Sequence, residues 1–304
     1  MTGATDRIEA MEFPAEKKTQ KVSGAPVVSI IVPTFNRGRF LERCLRSILD
    51  QTYRNIECLV MDGGSKDESV AILKRLAESD PRLKYVSEPD KGEVYATNKG
   101  FDLATGEIIG VQASDDFYVP DAVEKAVEFL QARPEYVGVG GDAMYVDEEG
   151  RSLNRGVITY RGEMSKKTIR HILTVRYKSC LVCHGSFFGW RERILKHGKL
   201  DPAFSVTPDW EFYLRLLDAG ERIGCLSRVQ YKYSVHSGMG ALKHNRKVET
   251  ERAILHRKYG MKWWHELARS TAGRLMSYLS NPYRSPFISG LYREVKALFA
   301  RRDQ

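Results

Sequence analysis

Two hydrophobic periods take turns along the first 150 residues of the chain. Val27 to Val32 reads VVSIIV and is closed by Pro33, a continuous β-branched run of the kind that forms a strand buried on both faces. The period then changes: Leu41, Cys44, Leu45, Ile48 and Leu49 recur at helical spacing, with Glu42, Arg43 and Arg46 on the other face. The switch repeats. Ile56–Met61 predicts a strand, Ser69–Ala77 a helix, Leu83–Val86 a strand, Tyr95–Leu103 a helix and Glu107–Val111 a strand. Strands joined in this way by helices predict a doubly wound, largely parallel α/β sheet.

Ligands of such sheets bind beyond the carboxyl ends of the strands, and there the chain is unusually polar. The first strand runs into Pro33-Thr34-Phe35-Asn36-Arg37, the second into Asp62-Gly63-Gly64-Ser65-Lys66-Asp67, the third into Glu88-Pro89-Asp90-Lys91-Gly92 and the fourth into Ser114-Asp115-Asp116. Two adjacent carboxylates repel each other, and a cation or a set of donors offsets that repulsion. Oxygen ligands favour Mg²⁺ or Mn²⁺ over zinc. Taken singly, Asp62-Gly63-Gly64-Ser65 also reads as a plain turn, and Asp115-Asp116 as the approach to a helix near Pro120.

Two further motifs carry less. Gly138-Val139-Gly140-Gly141-Asp142-Ala143 matches a dinucleotide fingerprint. That fingerprint needs a helix at the turn, whereas Met144, Tyr145 and Val146 continue as strand into Asp147-Glu148-Glu149-Gly150. Cys180-Leu181-Val182-Cys183-His184 matches a haem-attachment pattern, but no export signal precedes it and no second ligand pair makes it a zinc site. Buried cysteines in a strand are the expectation.

With 304 residues and 42% apolar content the chain builds a substantial core. No apolar run approaches the roughly 18 residues of a membrane span, and Met1 to Gly24 lacks a signal-peptide core, so a cytoplasmic protein is expected. Five irregularly spaced cysteines argue against a disulfide framework. The net charge of +9 is localised: residues 246–304 hold 13 Lys/Arg against 5 Asp/Glu, which leaves the body nearly neutral.

The string VSIIVPTFNRGRFLERCLRSILDQTYRNIECLVMDGGSKDES, followed by EPDKGEVYATNKGFDLATGEIIGVQASDD, resembles the opening of the family 2 inverting glycosyltransferases, and the likeness extends over about residues 27–240. It implies the GT-A fold, a doubly wound mixed sheet here followed by a basic helical extension. By this resemblance Thr34, Asn36, Asp62, Asp90, Lys91, Asn98 and Asp115 bind a nucleoside-diphosphate sugar, with UDP the expected nucleotide, and Asp116 holds a Mg²⁺ or Mn²⁺ ion on the donor diphosphate. Many relatives carry an Asp where this chain has Tyr95, so donor preference does not transfer from them.

The resemblance continues into the second half. Cys183-His184-Gly185-Ser186-Phe187-Phe188 is similar to the family's His-Gln-x-x-Phe-Phe stretch, and Thr207-Pro208-Asp209-Trp210 begins the helix on which relatives place the catalytic base, here Asp209. Asp is also a favoured N-cap, so a helix start is the alternative reading of Asp209. His184 and His236 are expected to face the acceptor or the diphosphate. The implied organisation is an N-terminal segment (1–26), a nucleotide-sugar half (27–150), an acceptor half of the same domain (151–245) and a basic extension (246–304). In that extension Phe287, Ile288, Leu291, Val295, Leu298 and Phe299 form one helical stripe beside Arg293, Lys296, Arg301 and Arg302, a pattern that suits either an anionic membrane surface or packing on the domain. The expected partners are therefore the nucleotide-sugar, a glycan or lipid-linked acceptor and the inner face of the plasma membrane, with no nucleic acid. The rival expectation is an inactive protein that binds nucleotide-sugars or anionic surfaces.

Overall fold

The computed structural model describes residues 24–157, 164–168, 182, 184–236 and 245–259. Strands β1 (Val28–Thr34), β2 (Ile56–Asp62), β3 (Leu83–Ser87) and β4 (Ile108–Val111) run parallel in the order β3-β2-β1-β4. Helices α1 (Gly38–Leu49), α2 (Ser69–Ser79) and α3 (Glu93–Leu103) connect them. The doubly wound half is thus present with boundaries shifted by a few residues. One shift is at β1, which continues through Pro33 to Thr34. The β1–β4 ladder ends at Ile31 and Val111, so Pro33 has a strand neighbour on the β2 side alone and its missing N–H disrupts little.

The apolar stripe of α1 explains its place. Leu41, Cys44, Leu45 and Ile48 are fully buried in one core with Val28, Ile30 and Val32, each large aliphatic side chain contributing about 1.5–3 kcal/mol by leaving water. The start of α1 is capped from outside the helix. Asp67 Oδ2 accepts the Gly38 N–H at 2.9 Å and Ser69 Oγ accepts the Arg37 N–H at 3.1 Å. Burial pushes the Asp67 carboxyl up, but bonds from Ser69 and Gly38 outweigh it and hold the carboxyl below its usual value. On the opposite face of β1, α3 approaches so closely that a Cβ on Gly100 would fall 2.3 Å from Ile31 Cγ2.

The second half extends the same sheet and makes it mixed. It contributes β5 (Phe117–Tyr118), α4 (Ala122–Ala132), β6 (Gly138–Val146), β7 (Ser152–Val157), β8 (Phe188–Trp190), α5 (Arg191–Leu195), α6 (Pro208–Asp218) and β9 (Ile223–Ser234). The order continues β4-β8-β6-β9-β5, with β7 on β6; β8 is antiparallel to β4 and β6, and β9 is parallel to β6. The expected halves 27–150 and 151–245 therefore share one sheet. The glycine-rich segment at 138–143 lies within β6, as its apolar continuation requires, and a Cβ on Gly140 would fall 2.1 Å from Val182 Cγ1.

Helix α7 (Asn245–Lys258) closes the described chain. The compact unit holding the sheet ends at Val248, and a second unit starts at Glu249. The expectations for Cys180, Cys183, the N-terminal segment as far as residue 23 and the stripe at 287–299 fall outside the described residues. Among those described, no helix is long and apolar enough to cross a membrane.

Candidate active site

The loops after β1, β2 and β3 interlock through short polar contacts. Asn36 adopts the left-handed region, with φ 51; its N–H donates to Ser65 Oγ at 2.7 Å and its Oδ1 accepts the Lys66 N–H at 2.8 Å. Asp62, at the end of β2, is buried, and its carboxylate organises its own loop. It accepts the N–H groups of Gly64 and Ser65 at 3.2 and 3.0 Å, the Ser87 hydroxyl at 2.6 Å and the Ser65 hydroxyl. From the loop after β3, Asp90 Oδ1 accepts the Gly92 N–H at 2.7 Å. The same carboxylate lies 3.0 Å from where a Cβ on Gly63 would stand, so a side chain there would displace it. Thr34, Asn36, Asp62, Asp90 and Lys91 thus share one rim of the sheet. The buried Thr34 hydroxyl has no partner. Phe35 and Tyr95 are 55% and 44% exposed on this rim, and Lys91 Nζ lies 5.8 Å from the Tyr95 ring centre.

Asn98 stands apart from that group. Its Nδ2 donates to the Leu200 carbonyl at 2.8 Å and its Oδ1 accepts the Leu200 N–H at 2.9 Å. Both ends of the amide are engaged, so Asn98 fastens α3 to the turn before α6.

The paired carboxylates after β4 differ sharply. Asp116 is 3% exposed; the Tyr231 hydroxyl donates to its Oδ2 and the Ser234 N–H to its Oδ1 at 2.6 Å. Burial, then the neighbouring Asp115, push its carboxyl well above the usual range. Asp116 locks β9 to the loop after β4, with one hydrogen bond on each of its oxygens. Asp115 has the complementary position. Its side chain is 19% exposed, and its Oδ2 lies 3.0 Å from His236 Nε2 and 3.5 Å from Arg37 Nε. His236, two residues beyond β9, is buried with its ring centre 4.6 Å from that of Phe40. A carboxylate and an imidazole therefore meet where the sheet opens. No cluster of three or more metal-ligating side chains occurs among the described residues.

On the other side of the sequence, His184 Nδ1 lies 3.2 Å from the Tyr213 hydroxyl of α6. Asp209 is half-buried in the first turn of α6. Thr207 holds the N-cap position and Pro208 begins the helix, so the alternative of Asp209 as N-cap is replaced by a first-turn carboxylate, where a negative charge interacts favourably with the helix dipole. The helix is anchored by Glu211, 1% exposed, which accepts from Arg215 Nε at 3.1–3.2 Å. Arg215 also donates to the carbonyls of His197 and Lys199, and the adjacent Leu200 holds Asn98. Arg215→Met is expected to lower stability by about 3 kcal/mol, because it leaves Glu211 buried without its counter-ion. Denaturant unfolding checks this; an unchanged midpoint contradicts it.

One acidic residue of the crevice escapes the sequence patterns. Glu93 opens α3, and burial first, then the charges of Asp115 and Asp209, push its carboxyl up, with His184 and Arg37 opposing. A single acid in a helix's first turn ordinarily reads as a dipole partner, so the sequence carries no signal for it.

The chain matches the family model described as Glycosyl transferase family 2 over residues 29–198. It is 28% identical over 233 residues to a chondroitin synthase of Escherichia coli, an alignment that covers 75% of this chain and 32% of that protein; the chain thus spans about a third of that relative's length. Among solved structures, the mannosyltransferase PcManGT from Pyrobaculum calidifontis, in complex with GDP-Man and Mn²⁺, superposes with a TM-score of 0.59 at 21% identity, covering 93% of this chain and 84% of that one. The S. aureus TarS fragment 1-349 in complex with UDP-GlcNAc gives 0.58 at 19% identity, covering 75% and 66%. At these identities the likeness is one of fold, the mixed GT-A sheet.

Proposed function

From the premise that this chain belongs to glycosyl transferase family 2, we propose that it moves a sugar from a nucleoside-diphosphate sugar to a hydroxyl of a glycan or lipid-linked acceptor, inverting the anomeric centre. UDP is the expected nucleotide. The observation that carries the reading is the polar rim where the sheet opens: Asp115 lies 3.5 Å from Arg37 and 3.0 Å from His236 there, and Asp209 stands in the first turn of α6. Phe35, exposed beside Asn36, offers a flat face to a nucleobase, and the buried, unpartnered Thr34 hydroxyl offers a hydrogen bond.

Asp115 and His236 are the residues that would hold a Mg²⁺ or Mn²⁺ ion, in place of Asp116. Two protein donors are few for a closed cage, but they suit a metal that completes its shell with substrate phosphates. Bound there, the ion would supply Lewis-acid stabilisation of the departing diphosphate. Arg37, 3.5 Å from Asp115, adds positive charge at the same edge.

Asp209 takes the proton from the acceptor hydroxyl as that oxygen bonds to the anomeric carbon. The bond from that carbon to the diphosphate breaks in the same step, and its electron pair leaves with the nucleoside diphosphate. The transition state is oxocarbenium-like, and no covalent enzyme intermediate forms.

Incubation with Mn²⁺ and a panel of UDP- and GDP-sugars, followed by assay of free nucleoside diphosphate, tests the reading. One donor is expected to be hydrolysed slowly, with water as the acceptor. Tight nucleotide binding with no release from any donor would instead favour a binding protein without turnover.

A further inference from the structure

One side chain of α1 touches both segments that carry the Asp115–His236 pair. Arg43 sets its guanidinium carbon 4.5 Å from the ring centre of Phe117, two residues after Asp115. Its Nη2 donates to Ser234 Oγ at 3.2 Å, two residues before His236. Its Nη1 donates to the Glu148 carbonyl at 2.9 Å, in the turn between β6 and β7. That turn leaves room for the guanidinium: Gly150 has φ 87, and a Cβ there would fall 3.2 Å from Arg43 Nη1 and 3.3 Å from Phe117 Cζ. Arg43 is half-buried among these groups.

The path from Arg43 to the pair is short. Ser234 donates its N–H to Asp116 Oδ1 at 2.6 Å, and Val235 donates its own to the Val146 carbonyl at 2.8 Å. His236 follows directly, and Phe40 sets its ring centre 4.6 Å from that of the imidazole. Residues three apart share one face of a helix, so Phe40 and Arg43 grip the end of β9 together. An arginine suits this task, because its planar fork spends separate N–H groups on two acceptors while its face lies on a ring. Arg39 also reaches the β6–β7 turn, pairing with the Glu148 carboxylate, but from a side chain that is 65% exposed.

We propose, resting on the nucleotide-sugar reading above, that Arg43 is a positioning residue: it holds the Asp115 loop and the end of β9 in the relation that lets Asp115 and His236 serve one metal ion together. Calorimetric titration with UDP and GDP, with and without Mn²⁺, tests it on wild type, Arg43→Met, Arg43→Lys, Ser234→Ala and Arg39→Met, beside their unfolding midpoints. Methionine keeps an unbranched chain over Phe117 and loses both donors. The affinity that Mn²⁺ adds for the better-bound nucleotide is expected to fall roughly tenfold or more in Arg43→Met, the usual cost of losing a group that orients metal ligands. A smaller fall is expected in Arg43→Lys, whose single amine replaces the fork, and in Ser234→Ala, which keeps its N–H bond to Asp116. Metal-free nucleotide binding is expected to be the same in all five proteins, and Arg39→Met is expected to match wild type in both titrations.

An Arg43→Met protein with a lower unfolding midpoint and the wild-type gain from Mn²⁺ would overturn the inference, leaving Arg43 a role in stability alone. Equal losses with and without the metal would also overturn it, since Arg43 would then act on the nucleotide directly. Should Arg43→Met not fold, a wild-type gain in both Arg43→Lys and Ser234→Ala overturns it instead. A wild type that binds nucleotide with no gain from Mn²⁺ would remove the inference while leaving nucleotide binding intact, whereas failure of every nucleotide to bind the wild type would remove the nucleotide-sugar reading as well.

Discussion

Replacing Asp209 by asparagine is expected to slow sugar transfer by roughly a hundred- to ten-thousand-fold, the usual worth of a positioned general base. Asparagine has nearly the same size and cannot take the acceptor's proton. The helix start survives the change, because Thr207 holds the N-cap position and Pro208 begins α6; the lost charge–dipole interaction costs about 1 kcal/mol or less at a first-turn site. Nucleotide affinity should stay within about twofold of wild type, as expected when an interaction made only in the transition state is removed. Steady-state transfer rates and nucleotide titrations on the same preparation separate the two effects. Turnover equal to wild type would remove Asp209 from the chemistry.

The second large effect distinguishes neighbours in the sequence. Asp115→Ala and His236→Ala are each expected to weaken metal-promoted binding of the nucleoside diphosphate by at least about tenfold, since even groups that only support metal ligands cost that much. Asp116→Asn is expected to keep it. An asparagine there can still accept the Ser234 N–H, and its amide can donate to a reoriented Tyr231 hydroxyl, so the lock on β9 persists. Asp116→Ala is a different case: it leaves a buried hydroxyl and a buried N–H unpaired, at about 1–3 kcal/mol each, and is expected to lower stability first. Titrations with Mn²⁺ on the four variants decide the matter. Loss of metal-promoted binding in Asp116→Asn with retention in Asp115→Ala would reverse the assignment.

That pair also shows how far the sequence alone reaches. The β1–α1–β2–α2–β3–α3–β4 alternation is legible because each element repeats one period over several residues, and the polar strand ends follow from the topology. Which of two adjacent carboxylates turns inward is not legible. The choice is made by Tyr231 and Ser234, more than a hundred residues away and brought alongside by the pairing of β5 with β9. Asn98 has the same history. Nothing in its neighbourhood announces that Leu200 will take both ends of its amide. Glu93 was hidden for the opposite reason, because a first-turn acid has an ordinary local explanation, and the charges of His184, Asp115 and Asp209 that act on it come from three other parts of the chain.

Asp209 was legible as a position but ambiguous in role. The structure resolves the local part of that ambiguity by giving the N-cap position to Thr207, which leaves the carboxylate in the first turn and half-buried. The chemistry assigned to it is single displacement with inversion, and the stereochemistry of the product records that directly. Proton NMR of the product formed from an α-linked nucleotide-sugar reports the configuration at the new linkage through its anomeric coupling. The account predicts a β-linked product from the first turnover onward, whereas an α-linked product would contradict it and would require a double displacement through a different nucleophile.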